Sequence, residues 1–171
     1  MTVTLRDARH SEQDRDWIRT VYRDYLSDLS TSRSGVFPVL GEFATRHDEL
    51  LAGWFVEAGS LPFVILQTGA RVGFARIVRS GGFRRQDCDY QMSEFFVLGR
   101  ARGRGIGRAA ATLLFSRFDG DWEVLENEQN RAAVRFWRTV IGEAAGGRFR
   151  ELRCGGEVRH RFRTGPDRPL S

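Results

Sequence analysis

The residues best suited to chemistry lie in one run of glycines and arginines, Val97-Leu-Gly-Arg-Ala-Arg-Gly-Arg-Gly-Ile-Gly-Arg108. Three glycines let the backbone approach a ligand closely, Gly103, Gly105 and Gly107. A helical pattern begins directly after them, and the first N–H groups of a helix are unpaired and carry about half a positive charge. Such a helix end binds phosphate, and arginines add further donors, Arg102, Arg104 and Arg108. The alternative is a glycine-tolerant turn before a solvated basic helix end.

Two classes of phosphate ligand fit this loop. Gly105-Ile-Gly107-Arg-Ala-Ala110 matches the dinucleotide fingerprint, and Glu126 lies about 20 residues further on, near the end of a predicted strand. A dinucleotide fold needs several more β-α units, whereas only about 30 residues follow the last predicted helix. An NAD-type oxidoreductase is therefore the weaker of the two interpretations.

The second interpretation rests on two motifs in order. Arg102-x-x-Gly105-x-Gly107 follows a predicted strand ending at Val97, and Asn130-x-x-Ala133-x-x-Phe136-Trp137 comes about 25 residues later. Together they resemble the GCN5-related N-acetyltransferase (GNAT) superfamily. The first motif is similar to that family's pyrophosphate loop, and the second to its asparagine-alanine-aromatic helix.

The resemblance implies an α+β fold and a cosubstrate. The fold is a mixed, largely antiparallel sheet flanked by helices, with strands 90–98 and 121–126 parallel and splayed to form an acetyl-CoA cleft. An acetyl group would pass directly to the amine of an unidentified small-molecule or peptide acceptor in a ternary complex. The residues implied to bind acetyl-CoA are Val97 for the pantetheine and thioester, Arg102, Gly103, Arg104, Gly105, Ile106, Gly107 and Arg108 for the pyrophosphate, and Asn130, Ala133 and Phe136 along the coenzyme arm.

Glu94 is the candidate catalytic residue. Ser93-Glu-Phe-Phe-Val97 resembles the Glu-Asp-Phe-Phe-Val stretch of polyamine-type family members, in which acidic residues contact the acceptor amine or help to remove its proton. Ser93 replaces the first acid, so only Glu94 remains of the acidic pair and the resemblance does not by itself imply polyamine specificity. Alternation directs Glu94 toward the cleft beside Val97, although a β-bulge would invert its facing. The competing interpretation is a salt bridge at the rim with one of the many arginines.

Trp137 stands where many family members have a tyrosine that protonates the departing thiolate. An indole N–H is a hydrogen-bond donor and cannot deliver a proton at neutral pH. A thiolate whose thiol has a pKa of about 8–9 leaves without such help. Trp137 is therefore predicted to line the cleft or the core. Tyrosines could replace it, but core packing is the favoured interpretation of each, Tyr22, Tyr25 and Tyr90.

The order β-α-α-β-β-β-α-β-α-β-β is predicted to position these residues and indicates an α+β domain over 1–163 with a tail over 164–171. Ser11 and Asp14 form a capping box for the first helix, and Ser30–Pro38 is predicted to be a loop. The other predicted elements are strands 2–8, 62–67, 72–78, 88–98, 122–125, 148–153 and 157–163, with helices over 42–58, after loop 99–105, and from Asn130.

Composition excludes several functions. All 27 basic residues are arginines, so a Schiff-base lysine and a lysine-containing phosphate loop are absent. The cysteines and histidines show no metal-ligand spacing, and neither a signal peptide nor a membrane span is visible, which predicts a cytoplasmic protein without metal.

The sequence says less about partners. The net charge of +5 is compatible with polyanions, but the basic hairpin 148–163 lacks a nucleic-acid motif and is predicted to be a solvated face. A non-catalytic CoA- or RNA-binding module is the alternative outside enzymes, and a homodimer is left open. Acidic residues within 20–60 suggest a cationic acceptor, Asp24, Asp28, Glu42, Asp48 and Glu49.

Overall fold

The computed structural model describes residues 1–31, 40–80 and 88–166. Its elements follow the predicted order: β1 Val3–Asp7, α1 Glu12–Thr31, α2 Leu40–Val56, β2 Ser60–Gln67, β3 Ala70–Arg79, β4 Tyr90–Val97, α3 Ile106–Arg117, β5 Gly120–Asn127, α4 Arg131–Ala144, β6 Phe149–Cys154 and β7 Glu157–Thr164. Most of the predicted Ser30–Pro38 loop and residues 167–171 of the predicted tail lie outside the described residues. None of the described helices is long and apolar enough to cross a membrane.

Local sequence signals account for several boundaries. The Ser11 hydroxyl accepts a hydrogen bond from the Asp14 N–H at 3.2 Å, which confirms the cap at the start of α1. Thr68 and Gly69 join β2 to β3 with φ values of +47° and +82°, as a tight hairpin turn requires. Asn130 caps α4, because its side chain accepts a hydrogen bond from the Ala133 N–H at 3.1 Å.

One seven-stranded sheet in the order β1-β2-β3-β4-β5-β7-β6 carries the fold. Every neighbouring pair is antiparallel except β4 and β5. These two strands run parallel and are paired only from Tyr90 opposite Trp122 to Met92 opposite Val124. Beyond that point β4 and β5 continue without pairing to each other, so the sheet opens into a fork. A dinucleotide fold, which repeats parallel β-α units, does not describe this sheet.

The core lies on both faces of the sheet. Neighbouring β3 residues belong to different clusters, since Phe74 packs with the aromatic rings of α1 and α2 while Ala75 belongs to the cluster formed with α3 and α4. The sheet therefore has α1 and α2 on one face and most of α3 and α4 on the other. The fork between β4 and β5 opens between these two layers.

A β-bulge at Ser93 changes the facing of β4 just where the fork opens. Arg76 of β3 is opposite Glu94, but the next β3 residue, Ile77, is opposite Met92. Ser93 therefore has no β3 residue opposite it. An extra residue in one strand reverses the alternation on either side of it. Met92 accordingly packs with the α3 and α4 cluster, whereas Glu94 reaches Tyr25 of α1 on the opposite face.

Candidate active site

A cleft of about 740 Å³ occupies the fork between β4 and β5. This volume lies within the range of small-molecule sites, which runs from about 300 to 1,000 Å³. Its walls are the two separated strands, the loop before α3 and the first turns of α4. It contains every predicted acetyl-CoA-binding residue except Arg104, namely Val97, Arg102, Gly103, Gly105, Ile106, Gly107, Arg108, Asn130, Ala133 and Phe136.

The N-terminus of α3 offers unpaired backbone donors to one end of the cleft. The first hydrogen bond of this helix runs from the Ala109 N–H to the Gly105 carbonyl at 3.0 Å. Within the described ranges, the amides of Ile106, Gly107 and Arg108 have no acceptor. Gly105 caps the helix with φ of +76° and offers no side chain to bind them. The helix end is therefore open to an anion.

Two of the three loop glycines have a backbone conformation that favours glycine. Gly103 and Gly105 have φ of +74° and +76°, which L side chains rarely adopt, although a Cβ at either position would meet no atom within 4 Å. Gly107 has no such backbone conformation, and a Cβ there would make an ordinary van der Waals contact 3.5 Å from the Phe136 ring. The first two glycines shape the loop, and the third lies where α3 faces Phe136 of α4.

The three loop arginines adopt different arrangements. The Arg102 guanidinium turns back to β4: its Nε donates to the Val97 carbonyl at 2.7 Å, and another nitrogen pairs with Asp28 of α1. Its backbone amide donates to the Gly99 carbonyl at 3.2 Å. Arg108 forms an exposed two-pronged ion pair with Glu143. Arg104 is exposed and lies outside the cleft wall.

One side of α4 forms the opposite wall. Asn130 and Ala133 line the cleft, and the Asn130 side chain is already engaged in capping the helix. Phe136 also lines it, with its ring centroid 5.9 Å from that of Phe95. Trp137 is a buried wall residue, as predicted, with 2% of its surface exposed.

Glu94 of β4 does not itself line the cleft, and Tyr25 of α1 connects it to the cleft wall. The Tyr25 hydroxyl donates a hydrogen bond to Glu94 Oε2, and Tyr25 itself lines the cleft, as does the bulged Ser93. Burial raises the pKa of Glu94, and the hydrogen bond from Tyr25 and the charge of Arg76 offset only part of this rise. Burial also raises the pKa of Tyr25 well above its ordinary value. The pair therefore holds a partly desolvated carboxyl group one hydrogen bond from the cleft.

A second carboxyl group, which the sequence connected only with the dinucleotide fingerprint, lies in the cleft itself. Glu126 lines the wall, and its Oε1 accepts a hydrogen bond of 2.7 Å from the Trp137 indole. Burial raises the pKa of Glu126 to about 7; the charge of Glu94 adds to this and the indole hydrogen bond opposes it. The sequence offered one signal for this pair: Glu126 lies near a strand end, eleven residues before Trp137. That signal was too weak to predict the hydrogen bond between the two residues.

The basic hairpin is compensated by acidic residues. Arg159 and Arg161 both approach Glu123 of β5, at 3.6 and 2.9 Å, and Arg163 pairs with Asp121 at 3.0 Å. Of the acidic residues predicted to attract a cationic acceptor, Asp28 lines the cleft while Asp24, Asp48 and Glu49 are exposed. The side chain of Glu42 lies outside the part described.

The chain matches the sequence model of a known protein family. The sequence model described as the acetyltransferase (GNAT) family matches residues 18–142. No curated protein matches the chain.

Solved structures match over nearly the whole chain. A histone acetyltransferase HPA2 and related acetyltransferase from Corynebacterium glutamicum has a TM-score of 0.71 at 15% identity, covering 98% of this chain and 99% of its own. An acetyltransferase from Thermus thermophilus has a TM-score of 0.67 at 18% identity, with 95% and 97% covered. A putative acetyltransferase from Salmonella typhimurium, solved with its cofactor acetyl-CoA, has a TM-score of 0.56 at 15% identity, with 100% and 99% covered.

Proposed function

The chain belongs to the GNAT family of acetyltransferases, and we propose that it is an N-acetyltransferase that transfers the acetyl group of acetyl-CoA directly to an amine in a ternary complex. The observation that carries the proposal is the coincidence, in one cleft, of an open helix N-terminus and a fork between parallel strands. The acceptor is the amine of a small molecule or a peptide.

The cleft fits the phosphate end of such a cosubstrate. Three unpaired amides at the start of α3 and the partial charge of the helix end favour the pyrophosphate. Among the described residues, no atom lies within 4 Å of where a Cβ of Gly103 or Gly105 would be. These residues and the backbone of Ile106, Gly107 and Arg108 would hold the pyrophosphate.

The fork fits the apolar part of the arm and its reacting end. The backbone of β4 near Val97 and the wall formed by Ala133 and Phe136 would flank the pantetheine. Arg102 supports this arrangement indirectly, because its bonds to Val97 and Asp28 tie β4 to α1. When bound, acetyl-CoA supplies the activated acetyl group.

Glu94 is proposed to accept the proton of the acceptor amine. An alkyl ammonium has a pKa of about 10, so at neutral pH nearly all of it lacks the lone pair needed for attack. A raised pKa makes the Glu94 carboxylate a stronger base than an exposed glutamate. Tyr25 both orients this carboxylate and lines the cleft, so the proton can pass to Glu94 through a water next to Tyr25.

The experiment that tests the proposed function is an acceptor screen. Purified protein is mixed with acetyl-CoA and, separately, with spermidine, tyramine, a lysine-containing peptide and a peptide with a free amino terminus. Release of the CoA thiol is followed by absorbance, and the acetylated product is identified by mass spectrometry. Amine-dependent thiol release with a matching acetylated product supports the proposal, whereas thiol release without product indicates hydrolysis.

A further inference from the structure

Glu126 brings a carboxyl group to the cleft wall at the point where the sheet opens. It lies two residues beyond Val124, the last β5 residue paired with β4. The Trp137 indole fixes Oε1 at 2.7 Å, and within the described parts of the chain Oε2 has no hydrogen-bond partner. Oε2 is therefore the oxygen that can carry a proton and present it to the cleft.

Glu126 and Glu94 sit on different sides of the fork. Glu94 is held by Tyr25 from α1, and Glu126 is held by Trp137 from α4. Only Glu126 lies in the wall shared with the phosphate-binding loop. A pKa of about 7 leaves a large share of Glu126 protonated at neutral pH. Two carboxyl groups in different environments are the usual way to provide a base and an acid for one reaction.

We propose that Glu126, oriented by Trp137, donates the proton that the departing sulfur of the coenzyme receives, an inference that rests on the proposed acetyltransferase function. The acceptor ammonium first loses one proton to Glu94, which passes it to water. The free amine nitrogen then bonds to the acetyl carbon and loses a second proton by the same route. The bond from the acetyl carbon to sulfur breaks, and the sulfur takes the proton of Glu126 Oε2. The ionised Glu126 recovers a proton from solvent, so charge and protons balance over one cycle.

The neighbours of Glu126 make this role chemically reasonable. A tryptophan indole cannot supply the proton, but its N–H can orient a carboxyl group that does. The pKa of about 7 lies just below that of a free thiol, about 8.5, so proton transfer between the two groups is nearly balanced.

Free coenzyme A tests the location of Glu126 without an acceptor. The thiolate absorbance of CoA bound to the protein is titrated from pH 6 to 10 for the wild type, for Glu126→Gln and for the control Glu128→Gln. Glu128 is exposed, pairs with Arg153 at 2.9 Å and lies outside the cleft wall. A carboxylate beside the sulfur opposes thiolate formation, so the bound thiol should titrate at least about one pH unit higher in the wild type and in Glu128→Gln than in Glu126→Gln. Glu126→Ala is the second variant if Glu126→Gln folds poorly.

Turnover gives the second readout, with whichever screened amine reacts. Glu126→Gln should lower kcat about tenfold at pH 7 and very little at pH 9, because at the higher pH the sulfur leaves as a stable thiolate. If CoA binds but its thiol titrates identically in all variants, Glu126 is not beside the sulfur and the inference is overturned. If CoA does not bind the wild type, the proposed function itself fails.

Discussion

Met92 of β4 and Val124 of β5 are the last two residues that the parallel strands place opposite each other. Beyond these residues, β4 continues to Val97 and β5 to Asn127 without pairing to each other. The cleft fills the space between the two strands. Both carboxyl groups of the site, Glu94 and Glu126, lie two residues past this pair. The two carboxyl groups proposed to transfer protons therefore lie just beyond the end of the strand pairing.

The glycine at the start of α3 should control acetyl-CoA binding. Gly105→Val places a branched side chain in front of the free amides and strains a backbone with φ of +76°. We expect the Kd for acetyl-CoA, measured by calorimetry, to rise at least about tenfold.

Gly156→Val is the matched control for that variant. Gly156 has φ of +83° and lies in the β6–β7 turn away from the cleft, and a Cβ there would also meet none of the described atoms within 4 Å. It should lose comparable stability, on the order of 1–2 kcal/mol, and keep the wild-type Kd. Equal weakening of binding in both variants would mean that lost stability, not the loop, is responsible.

Glu94→Gln should slow transfer without affecting cosubstrate binding. Loss of a general base typically lowers kcat on the order of 10²-fold, and the deficit should shrink as pH rises and free amine accumulates. The measurement is kcat and KM from pH 6 to 10 with a reactive amine, together with the Kd for acetyl-CoA. A rise in the acceptor KM at constant kcat would instead make Glu94 a cation-binding residue.

Tyr25→Phe separates the base from its orienting partner. The Tyr25 hydrogen bond lowers the pKa of Glu94, so its removal should raise that pKa further. The rising limb of the kcat profile should then move to higher pH while Glu94 remains in place. An unchanged limb would show that Glu94 does not set it.

The pH dependence of stability should report the burial of Glu126. Its pKa is raised from the ordinary 4.5 to about 7, so the folded state holds a proton that the unfolded state releases between these values. Below about pH 4.5 Glu126 is protonated in both states, so its burial does not lower the free energy of unfolding. That free energy then falls as the pH rises from about 4.5 through 7. Glu126→Gln should therefore match the wild-type free energy of unfolding near pH 4.5 and exceed it by about 1–3 kcal/mol at pH 8. Chemical denaturation at both pH values measures the difference, and a less stable variant at pH 8 would contradict the assignment.

The basic hairpin should be dispensable for the cosubstrate. Replacing Arg159, Arg161 and Arg163 by alanine removes partners of Glu123 and Asp121 but nothing in the cleft wall. The Kd for acetyl-CoA should stay within about twofold of the wild type. Tight, steeply salt-dependent binding of an RNA oligonucleotide that requires these three arginines would favour the binding-module alternative.

Sequence patterns predicted the order of the elements and most of the cleft wall because these depend on local signals. The capping residues Ser11 and Asn130 and the glycines of the α3 loop act within a few residues of their own position. The family resemblance then related the two motifs in space.

Side-chain placement at the fork was not predictable in the same way. The facing of Glu94 depends on an unpaired Ser93, which alternation cannot reveal. Arg102 bonds both to the Val97 carbonyl and to Asp28, which lies 74 residues earlier in the chain. Glu126 becomes a cleft residue through a hydrogen bond from α4. Each of these depends on contacts between elements that the sequence does not specify locally.

The most direct test of the central claim is the ligand preference of the wild-type protein. Thermal unfolding is followed in the presence of acetyl-CoA, of NADH and of neither, because only a ligand that prefers the folded state raises Tm. We expect a concentration-dependent rise in Tm with acetyl-CoA, the loss of that rise in Gly105→Val, and no rise with NADH. A rise with NADH and none with acetyl-CoA would contradict the assignment of the cleft.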